Sequence, residues 1–226
     1  GHNADYVEIR VEEGQTTRIQ YRGREVDEIG RSARLGGNVR ALVKGGWGFV
    51  TFNDLKGLRQ KVEMAVKQAR LVGAETSQLA PVAPSVEDVE EWGQSDPVKV
   101  PLAEKKALLD EYNEIIWSTP GIQTSTVGYA DGRRRVTFAS SEGSYVEQSH
   151  SDATVRVSVA ARKDGDVQLA SLSLGSRGEF GFVRRLHAQV EEAARRAVEL
   201  LAAPQVKGGE YTVVLDPVLA GVFVHE

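Results

Sequence analysis

The order of polar and apolar positions predicts strands at the start of the chain. Val7, Ile9 and Val11 alternate with polar side chains, and the alternation returns at 38–44 and 47–52 on either side of a Gly-Gly pair. This period of two is typical of strands with one buried face. Breaks between strands are expected at three glycines: Gly14, Gly23 and Gly30. The pattern predicts an antiparallel meander whose apolar face needs a covering layer.

A helix that covers this meander is predicted directly after it. From Leu55 to Val72 an apolar residue recurs every three or four positions, and the stripe ends at a glycine. Asn53 or Asp54 can accept hydrogen bonds from the free amides at the start of the helix. Residues 1–73 are therefore expected to form an N-terminal domain of strands and one helix.

A segment of different composition follows this domain. Residues 74–101 contain prolines among Ser, Glu and Asp residues: Pro81, Pro84, Pro97 and Pro101. Such a segment is expected to be an extended linker or a connection that follows the surface. Trp92 is expected to anchor it.

The remaining residues, 102–226, are predicted to form a second α+β region. A helix over Leu102–Ser118 ends before a Pro-Gly pair, and a second meander runs from Ile122 to about Leu174. Its turns are expected where glycine follows an acidic residue: Asp131-Gly132, Glu142-Gly143 and Asp164-Gly165.

A long helix from Val183 to Ala203, a strand over 210–215 and a terminal helix complete the predicted elements. Strands precede helices in both regions, and no repeat of individual residues links the two. The expected fold class is α+β, with antiparallel sheets that are each covered by helices.

Composition restricts the function classes. The 226 residues include no cysteine, so disulfides and thiol chemistry are excluded from this sequence, and the formal net charge is −4. The acidic balance argues against nucleic-acid binding. No apolar run reaches the length of a membrane helix, so a soluble, cytoplasmic protein is expected. The basic clusters, chiefly Lys105-Lys106 and the run 133–135, are expected to be solvated.

Candidate chemistry lies in the last predicted helix. Asp216 before Pro217 is typical of a helix start, and the apolar residues that follow predict a buried helix ending at His225 and Glu226. An imidazole is a common zinc ligand, and a neighbouring carboxylate can accept a proton from an attacking water. The ordinary alternative is a structural histidine, stabilised as a cation near the C-terminal end of the helix.

The context of this pair resembles the TldD/PmbA family of peptidases. The resemblance is carried by 215–226 after the strand 210–214, by 4–12, and by the glycine-containing stretches 36–43 and 46–55. In that family the TldD-type subunit continues into an H-E-x-x-x-H motif. The resemblance implies that this chain is the N-terminal portion of a longer zinc peptidase.

Several further properties are implied by the resemblance. His225 would be a zinc ligand and Glu226 the catalytic base, with a second His and a Cys, both absent from this sequence, as further ligands. The fragment alone is therefore expected to be inactive. The full protein would hydrolyse unfolded or small peptides and take part in peptide maturation, as a homo-oligomer or with a PmbA/TldE-type subunit. The family is also labelled a modulator of DNA gyrase, although no residue pattern here indicates contact with DNA.

Other candidate sites have ordinary explanations. The glycines at 36–37, 45–48 and 175–178 lack the Gly-Lys-Ser/Thr ending of a phosphate loop and are better explained by turns and loops. The candidates for a hydrolase triad are Ser140 or Ser141 with His150 and Asp152. No Gly-x-Ser-x-Gly motif surrounds either serine. His187 is expected to be solvated. The strand aromatics are expected in the core or an interface: Trp47, Phe49 and Phe52. The alternative function is a non-catalytic PmbA/TldE-like assembly or binding subunit.

Overall fold

One antiparallel sheet organises the structure, a computed structural model that describes residues 3–75, 77, 79–89 and 95–226. The strands are β1 Tyr6–Arg22, β2 Glu25–Val43, β3 Gly46–Phe52, β4 Val86–Val89, β5 Ile122–Ser140, β6 Tyr145–Lys163 and β7 Asp166–Arg177. Their order is β3-β2-β1-β5-β6-β4, with β7 also paired to β6. β4 runs parallel to β6, and the other pairs are antiparallel.

The two predicted meanders are joined into this single sheet by strands β1 and β5. Ile9 lies opposite Ala139 and Ile19 lies opposite Tyr129 in that pairing. The α+β class with antiparallel strands is confirmed. The structure differs from the expected pair of sheets because β1 and β5 are long enough to bond along most of their length.

The described residues form the α-helices α1 Leu58–Val72, α2 Leu102–Ser118, α3 Phe180–Val183, α4 His187–Leu200 and α5 Pro217–His225. The bounds of α2 match the prediction, and those of α1 match at the C-terminal end. The helix predicted over Val183–Ala203 forms over a shorter span, as α4, and Val183 instead ends the separate short helix α3. No strand forms over 210–215, whose residues are exposed.

Among the described residues, two core clusters lie between the sheet and its helices. α1 packs on β2 and β3 through small and branched residues such as Ala65, Ala69, Val39 and Ala41. The larger cluster lies between α2–α4 and strands β1, β5, β6 and β7, with Tyr129 among its fully covered residues. Alternate strand residues such as Arg18 and Arg156 are exposed instead.

Some predicted turns lie inside strands. Gly14, Gly30 and Asp131-Gly132 are within β1, β2 and β5, so the prediction of a turn at Asp131 is wrong. By contrast, Gly143 and Gly165 lie in turns with φ of 95° and 97°, as predicted.

The described residues of the predicted linker include the short strand β4 and a 3-10 turn at Pro97–Lys99. Trp92, its expected anchor, lies outside the described residues. Within the described part of the chain, no helix has the length and apolar character needed to cross a membrane.

Candidate functional site

Helix α5 begins as its sequence predicts. The Asp216 carboxylate accepts a hydrogen bond from the Val218 amide at 2.9 Å, and the Asp216 carbonyl accepts one from Ala220 at 2.8 Å. Pro217 occupies the first turn, where its missing amide proton costs nothing. The cap therefore fixes where the helix starts.

The same helix is exposed, which corrects the prediction of a buried helix. Val218 is 78% exposed, Phe223 71% and Val224 84%, and none of the helix residues is buried. The helix has apolar residues around most of its circumference, and such helices are normally enclosed by other elements. Its apolar residues thus lack partners within the described chain.

His225 and Glu226 come together at the C-terminal end of α5. His225 is the last helical residue, and the Glu226 amide donates to the Val222 carbonyl at 3.2 Å. Both side chains are exposed. Adjacent positions on a helix point about 100° apart, so an imidazole and a carboxylate here can reach the same small molecule from different sides.

These two residues fit a metal site in kind but do not complete one. A catalytic zinc takes three protein ligands. Among the residues that the structure describes, no group of three His, Cys, Asp or Glu side chains is placed to hold a metal ion. The imidazole and the carboxylate at the helix end are donor types that a metal ion can bind.

The imagined hydrolase triad is not assembled. Ser140 lies just past the Ala139–Tyr145 pair, whereas His150 lies five residues further along β6, opposite Arg134. At about 3.3 Å per strand residue this separation is roughly 20 Å. The Ser141 hydroxyl instead accepts a hydrogen bond from the Val7 amide at 3.0 Å.

The glycine-rich stretches lie in strands of the sheet or in a turn between them. Gly36 and Gly37 lie inside β2, and Gly175 lies inside β7, so strands replace the turn and loop expected there. Gly45 does form a turn, with φ of 78°, and Gly46 follows it at the start of β3.

The remaining candidates are accounted for by local contacts. His187 Nε2 lies 2.8 Å from Glu111 Oε2, on an exposed surface as expected. Trp47 and Phe49 are 40% and 53% exposed, whereas Phe52 packs against the α1 cluster. Of the three aromatics predicted to lie in the core or at an interface, Phe52 is the one that packs in the core.

The sequence predicts a solvated Lys105, and this prediction is wrong because the side chain is buried. Its ammonium group forms a fully buried ion pair with Asp131, and its Nζ lies 3.4 Å from Thr17 Oγ1. Burial lowers the pKa of Lys105, and Asp131 opposes that shift. Burial and the hydrogen bond to Asp131 raise the pKa of Tyr129. No sequence motif marks this cluster, because α2 supplies one partner and β5 the other.

Two profiles of a known protein family together match most of the chain. A profile described as PmbA/TldA metallopeptidase domain 1 matches residues 7–69. A second, described as the PmbA/TldA metallopeptidase central domain, matches residues 95–201.

Curated relatives are named metalloproteases. The chain is 39% identical over 225 residues to one from Synechocystis sp., a match covering 99% of this chain and 49% of the relative. It is 30% identical over 228 residues to one from Methanothermobacter thermautotrophicus, covering 98% and 49%. The chain spans about half the length of the curated relatives that it matches.

Solved structures share the fold. A modulator of a DNA gyrase from Thermotoga maritima superposes with a TM-score of 0.75 at 15% identity, covering 90% of this chain and 46% of that one. TldE from Thermococcus kodakarensis gives 0.62 at 16% identity, covering 87% and 44%.

Proposed function

Because the chain belongs to the PmbA/TldD family of metallopeptidases, we propose that it is the N-terminal part of a zinc-dependent peptidase. The observation that carries this proposal is the placement of His225 and Glu226 side by side at the exposed end of a capped helix. The remaining ligands are proposed to lie in the part of the full-length protein beyond this half-length match.

Each residue of the pair has a distinct role. His225 would hold the zinc through a ring nitrogen, which requires the neutral imidazole. Zinc, when bound, supplies a Lewis acid that polarises the peptide carbonyl. Glu226 accepts a proton from the water that attacks this carbonyl, and can return it to the amine that leaves. The exposure of both side chains leaves them accessible to substrate.

The proposed substrates are peptides or unfolded polypeptides, since an extended backbone presents its carbonyls to a base at a helix end. Peptide maturation is a natural use of such an activity. The proposed assembly is a homo-oligomer or a pair with a PmbA/TldE-type subunit. The exposed apolar surface of α5 and the shared fold with TldE support it.

A non-catalytic PmbA/TldE-like subunit is the second candidate. It is supported by the fold shared with TldE from Thermococcus kodakarensis. In that case the helix end would serve assembly only, and the full-length protein would lack bound zinc.

Metal analysis of the full-length protein separates the two candidates. The peptidase proposal predicts about one zinc per chain, lost in His225→Ala together with cleavage of a fluorogenic peptide. His187→Ala is the matched control, because His187 is an exposed histidine on α4 that pairs with Glu111 and is not part of the proposed metal site. Unchanged zinc content in His225→Ala would remove the assignment.

A further inference from the structure

The exposed face of the sheet carries an open groove of about 700 Å³. Its lining includes Arg18 of β1, Gly128 of β5 and Arg156 of β6. These positions alternate with Ile19 and Tyr129, which are buried against the helices. The groove therefore lies on the side of the sheet away from the α2–α4 cluster.

Small side chains make the floor of the groove. Gly128 and Ala130 of β5 lie between the two arginine-bearing strands, and Ser171 and Ser173 of β7 form one side. A methyl group added at Gly128 would meet a single atom within 4 Å, the Arg156 carbonyl oxygen at 3.9 Å. The space above this glycine is open, and its backbone accepts a larger residue because its φ is not positive.

The side chains of Arg18 and Arg156 flank this floor without a hydrogen bond or ion pair to any residue that the structure describes. Two other arginines of the same face are paired: Arg40 lies 3.2 Å from Glu8, and Arg134 pairs with Glu12. The groove is thus a basic site on a chain whose net charge is −4.

The spacing of the two arginines suits an extended chain. Arg18 lies opposite Ala130, and Arg156 lies opposite Gly128, so the two are separated by two strand spacings and two residues along the strands. This places their Cα atoms about 12 Å apart. Side chains four residues apart in an extended peptide are separated by about 13 Å, so two carboxylates can reach both guanidinium groups.

We propose that this groove binds acidic, extended peptide segments, with Arg18 and Arg156 each taking a carboxylate. The hydroxyls of Ser171 and Ser173 supply further hydrogen bonds to the peptide. As a substrate preference this rests on the proposed peptidase function, although peptide binding itself does not.

Peptide fits the groove better than nucleic acid. Single-stranded nucleic acid is bound largely through exposed aromatic side chains on which bases stack. Tyr129 is the aromatic residue of the described lining, and it is 2% exposed. Glu28, which also lines the groove, would repel a run of phosphates, whereas a peptide can place a neutral or basic side chain beside it.

The test measures binding of a fluorescein-labelled acidic peptide, which carries two glutamates four residues apart among neutral residues, to the full-length protein. Binding is followed by fluorescence anisotropy, at low ionic strength and with a zinc chelator to prevent cleavage. The expected result is binding that weakens roughly tenfold in Arg18→Ala/Arg156→Ala, because two charge-assisted contacts are lost. Arg59→Ala/Arg196→Ala removes the same charge from exposed positions on α1 and α4, and should bind as the unmodified protein does.

Gly128→Leu distinguishes binding that depends on the shape of the groove from attraction by positive charge alone. The leucine side chain fills the floor of the groove and leaves every charged residue in place. It is expected to weaken binding as much as the double arginine variant, with unchanged circular dichroism. Unchanged affinity in Gly128→Leu, or tighter binding of a single-stranded oligonucleotide than of the acidic peptide, would overturn the proposal. Because no cleavage is measured, a full-length protein without peptidase activity leaves this test intact. If the full-length protein is an active peptidase but all these variants bind the acidic peptide unchanged, only the groove proposal is refuted.

Discussion

Lys105 and Asp131 form an ion pair in which neither side chain has any exposed surface. Lys105 is on α2 and Asp131 is in the middle of β5, so the pair ties the helix layer to the sheet. Tyr129 donates a hydrogen bond to the same carboxylate. The other carboxylate oxygen of Asp131 has no hydrogen-bond partner within the described residues.

Breaking this pair is expected to destabilise the fold strongly. Lys105→Met leaves the Asp131 carboxylate buried without its cation, which costs about 3–5 kcal/mol. The double variant Lys105→Met/Asp131→Leu should recover most of that loss, since apolar residues can replace a buried pair. Urea unfolding measures both free energies.

The neighbouring Lys106 is the matched control for this prediction. Its ion pair with Asp110 at 2.8 Å is on the surface, where both side chains are about two-fifths exposed. Lys106→Met should cost less than about 1 kcal/mol. Equal losses in the two lysine variants would show that the buried pair has no special role.

Sequence patterns identified elements whose ends are marked locally. Helix α2 lies between Pro101 and Pro120, and α5 starts at the Asp216-Pro217 pair, so both starts were predicted correctly. The turn at Asp131-Gly132 was wrong because the partner that buries Asp131 lies on a separate helix. A local pattern cannot show such a contact.

In the candidate sites, too, local patterns are visible in the sequence and long-range contacts are not. His225 and Glu226 are adjacent in sequence, so a motif could indicate them, and the helix that carries them was predicted. Arg18 and Arg156 are brought to one groove by the pairing of β1, β5 and β6. Their separation along the chain gives no signal of that proximity.

Gly48 is predicted to be required for packing of α1 on β3. A Cβ atom at Gly48 would overlap the carbonyl oxygen of Ala65, which belongs to the helix backbone. Gly48→Ala is therefore expected to destabilise the protein by about 1–3 kcal/mol. A shift of the urea midpoint measures this loss.

Gly30→Ala provides the comparison for Gly48→Ala. Gly30 is also inside a strand, but an added Cβ meets nothing within 4 Å. This variant should be neutral or more stable by up to about 1 kcal/mol, since alanine restricts the unfolded chain. If both variants lose similar stability, helix contact is not the reason for glycine at position 48.

Glu12 is expected to contribute to acid sensitivity. The Arg134 guanidinium holds the pKa of Glu12 below its usual value, with Arg34 assisting at 3.6 Å. As the pH falls through the usual glutamate range, about 4.3, the unfolded state takes up the proton first. The stability from this pair is therefore present at neutral pH and lost in acid.

Glu12→Gln should reduce stability at pH 7 by at most about 1 kcal/mol, because the pair is partly exposed. The difference from the unmodified protein should shrink below pH of about 4. Urea unfolding at a series of pH values measures it, with the exposed neighbour Glu13→Gln as the control. A difference that stays constant with pH would contradict the role of the Glu12 carboxylate.

Metal retention in Glu226→Gln tests whether Glu226 acts as a base rather than as a ligand. The amide keeps the shape of the side chain but cannot accept the proton, so cleavage by the full-length protein should fall by a factor of about 10²–10⁴. Zinc content should stay unchanged, in contrast to His225→Ala. The isolated 226-residue chain should bind no stoichiometric zinc, because one imidazole cannot hold the ion firmly. Tight zinc binding by that chain would place the ligands among residues other than those proposed. Loss of zinc in Glu226→Gln would make Glu226 a ligand and leave the base unassigned.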